Sequence, residues 1–166
     1  EIAEVLVATS ATAINAPLEE HVRSLGFGCF RGDESDVLDR YFRAATASGA
    51  DVVVRVTGDC PLIDPDLVDE VVRRFKATNA DYTSNTSPPT FPDGLDTEVF
   101  TYAALERAAR EATEPYDREH VTPYLRRSEG FTRSVLQGDD DFSSLRWTVD
   151  ELADYEVVRR VFDHFA

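Results

Sequence analysis

One run of valines constrains the fold of this chain more than any other feature. Residues 51–57 (DVVVRVT) are almost continuously β-branched, and Gly58 and Asp59 follow them directly. Such a run is typical of a strand that is covered on both faces, as the strands of parallel sheets are. The run therefore predicts a parallel strand that ends in a polar turn.

Short apolar runs of this kind alternate with amphipathic helix patterns along the chain. The alternation predicts an α/β fold with a mostly parallel sheet, right-handed crossovers and helices on both faces, becoming mixed in its second half. A length of 166 residues suits one domain, residues 1–166. We expect strands at residues 4–9, 26–30, 51–57, 81–85, 97–100, 131–137 and 145–149.

The helix boundaries follow from capping residues and prolines. We expect Asp33 or Ser35 to cap a helix that ends near residue 48, and Asp117 to cap a segment that Pro123 breaks. The last helix, 151–165, should bury one face made of Leu152, Tyr155, Val158, Val161 and Phe162. The remaining helices are expected at residues 17–24, 64–79 and 102–112.

The net charge of the chain argues against some classes of function. A net charge of −15 argues against binding nucleic acid through a broad basic face, and no apolar run approaches the length of a membrane span. An anionic substrate would need local arginines or a metal. Cys29 and Cys60 have no zinc spacing, and no signal peptide is visible, so we expect a cytoplasmic protein.

Four predicted strands end on polar residues. In sheets of this class, ligands bind beyond the carboxyl ends of the strands, so these ends mark the expected site. They are Thr9-Ser10, Arg31-Gly32, Gly58-Asp59 and Asn85.

The carboxylates at strand ends allow two interpretations each. Asp59 can coordinate Mg²⁺ or cap a turn before Pro61, and Asp150 can bind metal or cap the last helix. Residues 139–141 (DDD) are interpreted as an acidic turn rather than a metal site, because they lie between Gly138 and Phe142 with two serines following.

Five blocks carry a family resemblance. They are residues 31–41 (RGDESDVLDRY), 54–65 (VRVTGDCPLIDP), 85–86 with 91–100 (NT and FPDGLDTEVF), 118–124 (REHVTPY) and 145–150 (LRWTVD). In this order they resemble the cytidylyltransferases of the spore-coat-polysaccharide type. These are relatives of the acylneuraminate and KDO synthetases, which make CMP-activated acidic sugars.

The resemblance implies a fold and a reaction. The fold is the nucleotide-diphospho-sugar transferase (glycosyltransferase-A-like) sheet. The hydroxyl of a sugar acid attacks the α-phosphate of CTP, pyrophosphate leaves, and Mg²⁺ bridges the phosphates. The product would serve surface or spore-coat polysaccharide synthesis. Two alternatives stay open: a glycosyltransferase of the same fold that uses a nucleotide-sugar, and a non-catalytic nucleotide-binding or assembly module. Dimers are common in the related enzymes, so the partners expected are CTP, a sugar acid and a second copy.

The resemblance also assigns site residues. Asp59 and Asp150 become the catalytic metal ligands. The nucleotide would be bound by Thr9, Ser10, Arg31, Gly32, Ser35 and Asp36. The sugar would be bound by Asn85, Asp93, Gly94, Glu98, Arg118, His120 and Arg146.

Purely structural roles remain possible interpretations of several of these residues. Residues 31–33 can be a plain turn with a helix cap, and Asp36 and Arg40, four residues apart, can simply pair. Arg146 can extend from the edge of the core, and the loop around Asp93 can be an ordinary surface excursion.

One departure from the family concerns the N-terminus. Related enzymes open with a strand and a loop containing glycine and arginine that wraps the triphosphate. This sequence has no such segment and begins where the second strand is expected. We therefore expect the nucleotide loop to be missing from this chain, which leaves its own activity an open question.

Overall fold

A computed structural model describes residues 2–165. The chain divides into two compact units, one formed by residues up to 53 with 101–131 and the other by residues 54–100 with those from 132 onward. The strands are β1 (Leu6–Ser10), β2 (Gly28–Gly32), β3 (Val52–Arg55), β4 (Tyr82–Ser84), β5 (Glu98–Thr101) and β6 (Arg133–Val135). The helices are α1 (Ala16–Ser24), α2 (Val37–Ser48), α3 (Pro65–Thr78), α4 (Tyr102–Glu111), α5 (Pro115–His120), α6 (Pro123–Arg127) and α7 (Leu152–Phe165).

The first unit is built on the parallel pair β1 and β2. Thr9 lies opposite Arg31, and Ser10 opposite Gly32, so the polar ends of the two strands are side by side as expected. Helices α1 and α2 pack on these strands, and α4 and α5 pack on α2. The largest fully buried apolar side chains of this unit are Leu38, Leu105, Val121 and Leu125.

The second unit contains a sheet with the strand order β3-β5-β4-β6. Strand β4 runs antiparallel to β5 and parallel to β6, so this sheet is mixed. Helix α3 packs on β4 and β6. The core consists of Val71, Val72, Phe75 and Val99, with Val54 and Leu136 against it. The predicted α/β class is confirmed.

Local capping explains where α2 begins and ends. The Asp36 carboxylate accepts a 3.0 Å hydrogen bond from the Asp39 amide and is the N-cap. The predicted cap at Asp33 or Ser35 is wrong, because Asp33 instead caps the preceding turn by accepting from the Ser35 and Asp36 amides. The helix ends at Gly49, whose φ of 67° lies in the left-handed region that glycine tolerates.

Two other predicted elements differ from the structure. Residues 145–149 form no strand; the segment makes a single bridge, in which Asp93 pairs with Arg146. Asp117 does not cap α5, which begins at Pro115. It is 1% exposed and forms an ion pair with Arg127, because one turn into the helix its side chain points inward.

The strand and helix faces expected to be buried are only partly so. In β3, Val52 is 44% exposed, since this strand lies at the edge of its sheet. On α7 only Val158 is buried, whereas Leu152, Tyr155 and Phe162 are exposed, so the predicted inward face is wrong for these three. None of the helices within residues 2–165 has the length and apolarity needed to cross a membrane.

Candidate active site

In the first unit, the Arg31 guanidinium ties the end of β2 to the end of β1. Its Nε donates to the Ser10 carbonyl at 3.2 Å and its Nη2 to the Thr12 carbonyl at 2.6 Å. Its Nη1 pairs with Glu19 at 3.0 Å. The Ser10 hydroxyl is buried and accepts from the Asn15 amide at 2.6 Å. Ser10 and Arg31, both predicted to bind the nucleotide, are thus held in place by hydrogen bonds and an ion pair within the protein.

Gly32 and Ser35 shape the turn after β2. A Cβ atom on Gly32 would lie 3.0 Å from Cγ of Arg40, so any other residue here would require the Arg40 side chain on α2 to shift. The Ser35 hydroxyl donates to Asp33 at 2.8 Å. Thr9, like Gly32, is half-buried at its strand end.

The Asp36 carboxylate also forms an ion pair, although with a distant partner. Arg118 donates to it at 2.6 Å, while Arg40 donates to the Asp33 carbonyl at 2.8 Å. The pairing of Asp36 with Arg40 allowed by their spacing is therefore wrong. Arg118 also donates to the Ala109 carbonyl at 2.7 Å.

His120 stands on the surface at the end of α5. Its ring lies 4.4 Å from that of Tyr116. The next residue, Val121, is fully buried at a φ of 72°, and the Thr122 amide donates back to the His120 carbonyl at 2.8 Å. This is a γ-turn, a strained conformation for a β-branched residue. It fixes the direction in which the chain leaves His120.

In the second unit, one backbone hydrogen bond links the predicted metal ligand Asp59 to the residue before the other predicted ligand, Asp150. The Val149 amide donates to the Asp59 carbonyl at 2.8 Å, which brings the residue before Asp150 against Asp59. The Asp59 side chain is exposed, and its one polar contact in the described chain is with the Cys60 thiol at 3.7 Å. Burial raises the pKa of Cys60 to about 11, so this thiol stays protonated and is not a nucleophile.

Asp150 belongs to a polar network at the start of α7. Its Oδ2 accepts from Arg146 at 3.0 Å and from Thr148 at 2.7 Å. Arg146 also contacts Asp154 through both Nη atoms, at 3.0 and 2.5 Å. These bonds lower the pKa of Asp154 to about 2. Helix α7 begins at Leu152, two residues after Asp150, and the Asp150 side chain accepts from Arg146 and Thr148, so the interpretation of Asp150 as the N-cap is wrong.

The loop between β4 and β5 is fixed by Asn85. This side chain is 1% exposed, donates to the Leu95 carbonyl and accepts from the Thr97 amide, each at 2.8 Å. Its amide therefore positions the loop. Gly94 has a φ of 106°, and a Cβ there would lie 2.9 Å from the Trp147 backbone, so this position requires glycine.

Asp93 and Glu98, at the two ends of this loop, differ in their surroundings. Asp93 is exposed, and its backbone bonds to Leu145 and Trp147 hold the loop against the 145–150 segment. Glu98 is buried in an ion pair with Arg55 and accepts the Tyr82 hydroxyl. The contact of Glu98 with the sugar stays a prediction. Its carboxylate already binds Arg55 and Tyr82 within the core.

Sequence reasoning missed Asp96. Its carboxylate is partly buried and makes no hydrogen bond or ion pair with any residue of the described chain. Burial, reinforced by the charges of Asp93 and Glu98, raises its pKa to about 6. The third block contains Asp96, but nothing in the sequence distinguishes an unpaired carboxylate from a paired one.

We expect Asp96→Asn to stabilise the protein. Because the folded pKa lies above the unfolded value, ionisation of Asp96 disfavours the fold, and stability falls as the pH rises from about 4 to about 6. At pH 7.5 the variant should gain about 1 kcal/mol, a value reduced for solvent screening. Urea unfolding at pH 4.5 and 7.5 measures this, with exposed Asp139→Asn as the control. An equally stable Asp96→Asn at pH 7.5 would contradict it.

The carboxylates Asp59 and Asp150 can be compared with the ligands that Mg²⁺ requires. Within residues 2–165, no three His, Cys, Asp or Glu side chains are arranged to hold a metal without help. Mg²⁺ bound with a nucleotide needs one or two carboxylates, because the phosphate oxygens and water complete its shell. Asp59 and Asp150 fit that requirement. The Asp141 carboxylate accepts from the Ser143 amide at 2.9 Å, as expected of an acidic turn.

Comparison with solved structures identifies the fold. CMP:2-keto-3-deoxy-manno-octonic acid synthetase complexed with CTP superposes with a TM-score of 0.69 over 99% of this chain and 83% of its own, at 15% identity. A cytidylyltransferase from Leptospira borgpetersenii serovar Hardjo-bovis gives a TM-score of 0.92 over 98% of this chain and 69% of its own, at 34% identity. The protein therefore has the nucleotide-diphospho-sugar transferase fold.

Comparison of sequences identifies the family. Residues 1–160 match the cytidylyltransferase family. The chain is 36% identical to an uncharacterized protein of Methanocaldococcus jannaschii over 98% of this chain and 67% of the relative. It is 33% identical to the spore coat polysaccharide biosynthesis protein SpsF of Bacillus subtilis over 95% of this chain and 66% of the relative. The chain belongs to the cytidylyltransferase family of nucleotidyltransferases, as its sequence blocks predicted, and spans about two thirds of these relatives.

Proposed function

We propose that this protein binds CTP with Mg²⁺ and transfers CMP to a sugar acid, releasing pyrophosphate, in the synthesis of a surface or spore-coat polysaccharide. One observation carries the proposal: the Val149 amide donates to the Asp59 carbonyl, which places the residue before Asp150 beside Asp59. Two carboxylates on neighbouring backbone segments suit a metal that is shared with a triphosphate.

The names of two similar proteins support the proposed type of reaction. SpsF is named for spore coat polysaccharide biosynthesis, and the synthetase of similar fold was solved with CTP. Both are longer than this chain, so the activity is proposed for the whole protein. The acceptor is a sugar acid by analogy with that synthetase. A cytoplasmic location remains a prediction from the cysteine pattern and the lack of a visible signal peptide, and a homodimer remains a prediction from the resemblance.

The proposed chemistry needs charge compensation in a chain of net charge −15. Mg²⁺ held by Asp59 and Asp150 would offset the charge that develops on the α-phosphate. Arg146 stands beside Asp150, but it is paired with both Asp150 and Asp154, so the metal would supply most of this compensation. The acceptor hydroxyl attacks the α-phosphorus, the bond to pyrophosphate breaks, and the hydroxyl proton passes to solvent or a base.

The nucleotide and acceptor roles are proposed for separate residue sets. For the first unit we propose nucleotide binding by Thr9, Ser10, Arg31, Gly32, Ser35 and Asp36, because a cytosine edge is matched by backbone groups and short polar side chains. For the acceptor we propose Asp93, Gly94, His120 and Arg146, with Asn85, Glu98 and Arg118 holding the surrounding backbone and core.

A thermal-shift panel tests this proposal. The chain is melted with CTP, UTP, GTP and ATP, each with and without Mg²⁺. We expect CTP with Mg²⁺ to raise the melting temperature by roughly 5–10 °C at a concentration far above its dissociation constant. The other nucleotides, and CTP with EDTA, should produce little change.

Two results would contradict the proposal. Equal stabilisation by all four nucleotides would indicate general triphosphate binding, and no stabilisation would favour a non-catalytic module. A pyrophosphate assay with CTP and a panel of sugar acids then separates this reaction from glycosyl transfer, which releases no pyrophosphate.

A further inference from the structure

Asp154, one turn into α7, has an unusual number of hydrogen-bond donors around one carboxylate. Its Oδ2 accepts from Arg146 Nη1 and from the amides of Asp150 and Glu151, each at 3.0 Å, and its Oδ1 accepts from Arg146 Nη2 at 2.5 Å. Its side chain is 15% exposed. A helix cap explains the Glu151 bond alone, since that residue directly precedes α7. The other three bonds lead to Asp150 or to its partner Arg146.

The two carboxylate oxygens of Asp150 differ in their hydrogen bonds. Oδ2 accepts from Arg146 and Thr148, whereas Oδ1 accepts no hydrogen bond from any described residue. The backbone amide of Asp150 is fixed by Asp154 at the same time. Asp150 is thus held through one carboxylate oxygen and its backbone amide, while its other carboxylate oxygen belongs to an exposed side chain.

We propose that Asp154 is a positioning residue that orients Asp150 for a divalent metal, acting with Arg146 and Thr148. The inference rests on the proposed function, because it takes Asp150 as the metal ligand. Carboxylates that bind metals are commonly oriented by such outer hydrogen bonds, and losing one typically costs 10–100-fold in metal affinity.

Charge gives Asp154 a second effect on the same ligand. Arg146 lies between two carboxylates, at 3.0 Å from Asp150 and 2.5 Å from Asp154. Asp154 therefore compensates most of the guanidinium charge and leaves the charge of Asp150 available to a cation. Without Asp154, Arg146 would pair with Asp150 alone and compete with the metal.

The test measures binding of Mn²⁺ together with CTP, whose phosphate oxygens complete the metal's shell, as the dissociation constant obtained from thermal shifts of the full 166-residue chain. We expect Asp154→Asn to weaken Mn²⁺ binding by about tenfold or more. Its amide oxygen can still accept from Glu151, so the helix cap survives. Thr148→Val removes one donor to Asp150 without touching the cap and should weaken binding about threefold or more. Glu156→Gln, which breaks the ion pair to Arg159 on the same helix, is the control and should bind as the unmodified chain does.

The outcomes separate this inference from the proposed function. If Asp150→Asn loses Mn²⁺ binding while Asp154→Asn and Thr148→Val stay within twofold of the unmodified chain, the positioning role is overturned and the metal role of Asp150 stands. If Asp150→Asn binds Mn²⁺ normally, or the unmodified chain binds none, both fail. Reduced binding in both positioning variants, with the control unchanged, supports the inference even if one of them melts at a lower temperature.

Discussion

Replacing Arg55 with methionine is expected to lower the free energy of unfolding by about 3 kcal/mol or more. The side chains of Arg55 and Glu98 are 18% and 5% exposed and form an ion pair in the second unit. Without the guanidinium, Glu98 keeps a buried charge, to which the Tyr82 hydroxyl still donates. Urea unfolding at pH 7.5 measures the loss.

Two variants test the cause of that loss. Arg159→Met breaks exposed pairs on α7 and should cost less than about 1 kcal/mol. Adding Glu98→Gln to Arg55→Met removes the stranded charge while keeping an acceptor for Tyr82, so at least half of the stability should return. A double variant as unstable as Arg55→Met would mean that packing by the arginine stem, rather than the charge, is responsible.

Asp59→Asn is expected to abolish the Mg²⁺-dependent stabilisation by CTP. The amide has no charge for a hard cation, so the shift should fall from several degrees to about 1 °C or less. Pyrophosphate release by the whole protein should fall by about 100-fold or more, because the charge on the α-phosphate then lacks its compensation. Asp150→Asn should behave in the same way.

The matched control for this prediction is Asp139→Asn. It removes one carboxylate from the acidic turn at residues 139–141, which the structure describes as exposed. It should leave both the CTP shift and pyrophosphate release unchanged. If Asp59→Asn keeps the rate within about threefold of the unmodified enzyme, the metal assignment is wrong.

Local elements of the fold were predictable where a local cause fixes them. Asp64, Pro65 and an apolar face predicted α3 to within a residue, and the structure shows Asp64 accepting from the Asp66 amide at 2.9 Å. The strand predictions were less accurate at their ends. Residues 145–149 have the composition of a strand, but pairing depends on a neighbour, and the structure supplies one bridge.

Partners distant in sequence were not predictable. Asp36 has Arg40 one helical turn away, yet it pairs with Arg118, 82 residues further on. The position of Asp117 after Pro115 predicted a helix cap, yet its side chain is buried in an ion pair with Arg127. In each case the choice between a near and a distant partner depends on the packing of helices, which sequence spacing does not encode.

By itself, the sequence determined the α/β class, the family and the motifs that contain Asp59 and Asp150, because periodicity, caps and ordered motifs are local properties of the chain. Tertiary structure alone decided which carboxylates are free. Glu98 is neutralised by Arg55, Asp150 accepts a hydrogen bond from Arg146, and Asp96 forms no hydrogen bond or ion pair with any of residues 2–165. The ionic state of a carboxylate depends on burial and on charges brought from elsewhere in the fold, and only the folded chain sets both.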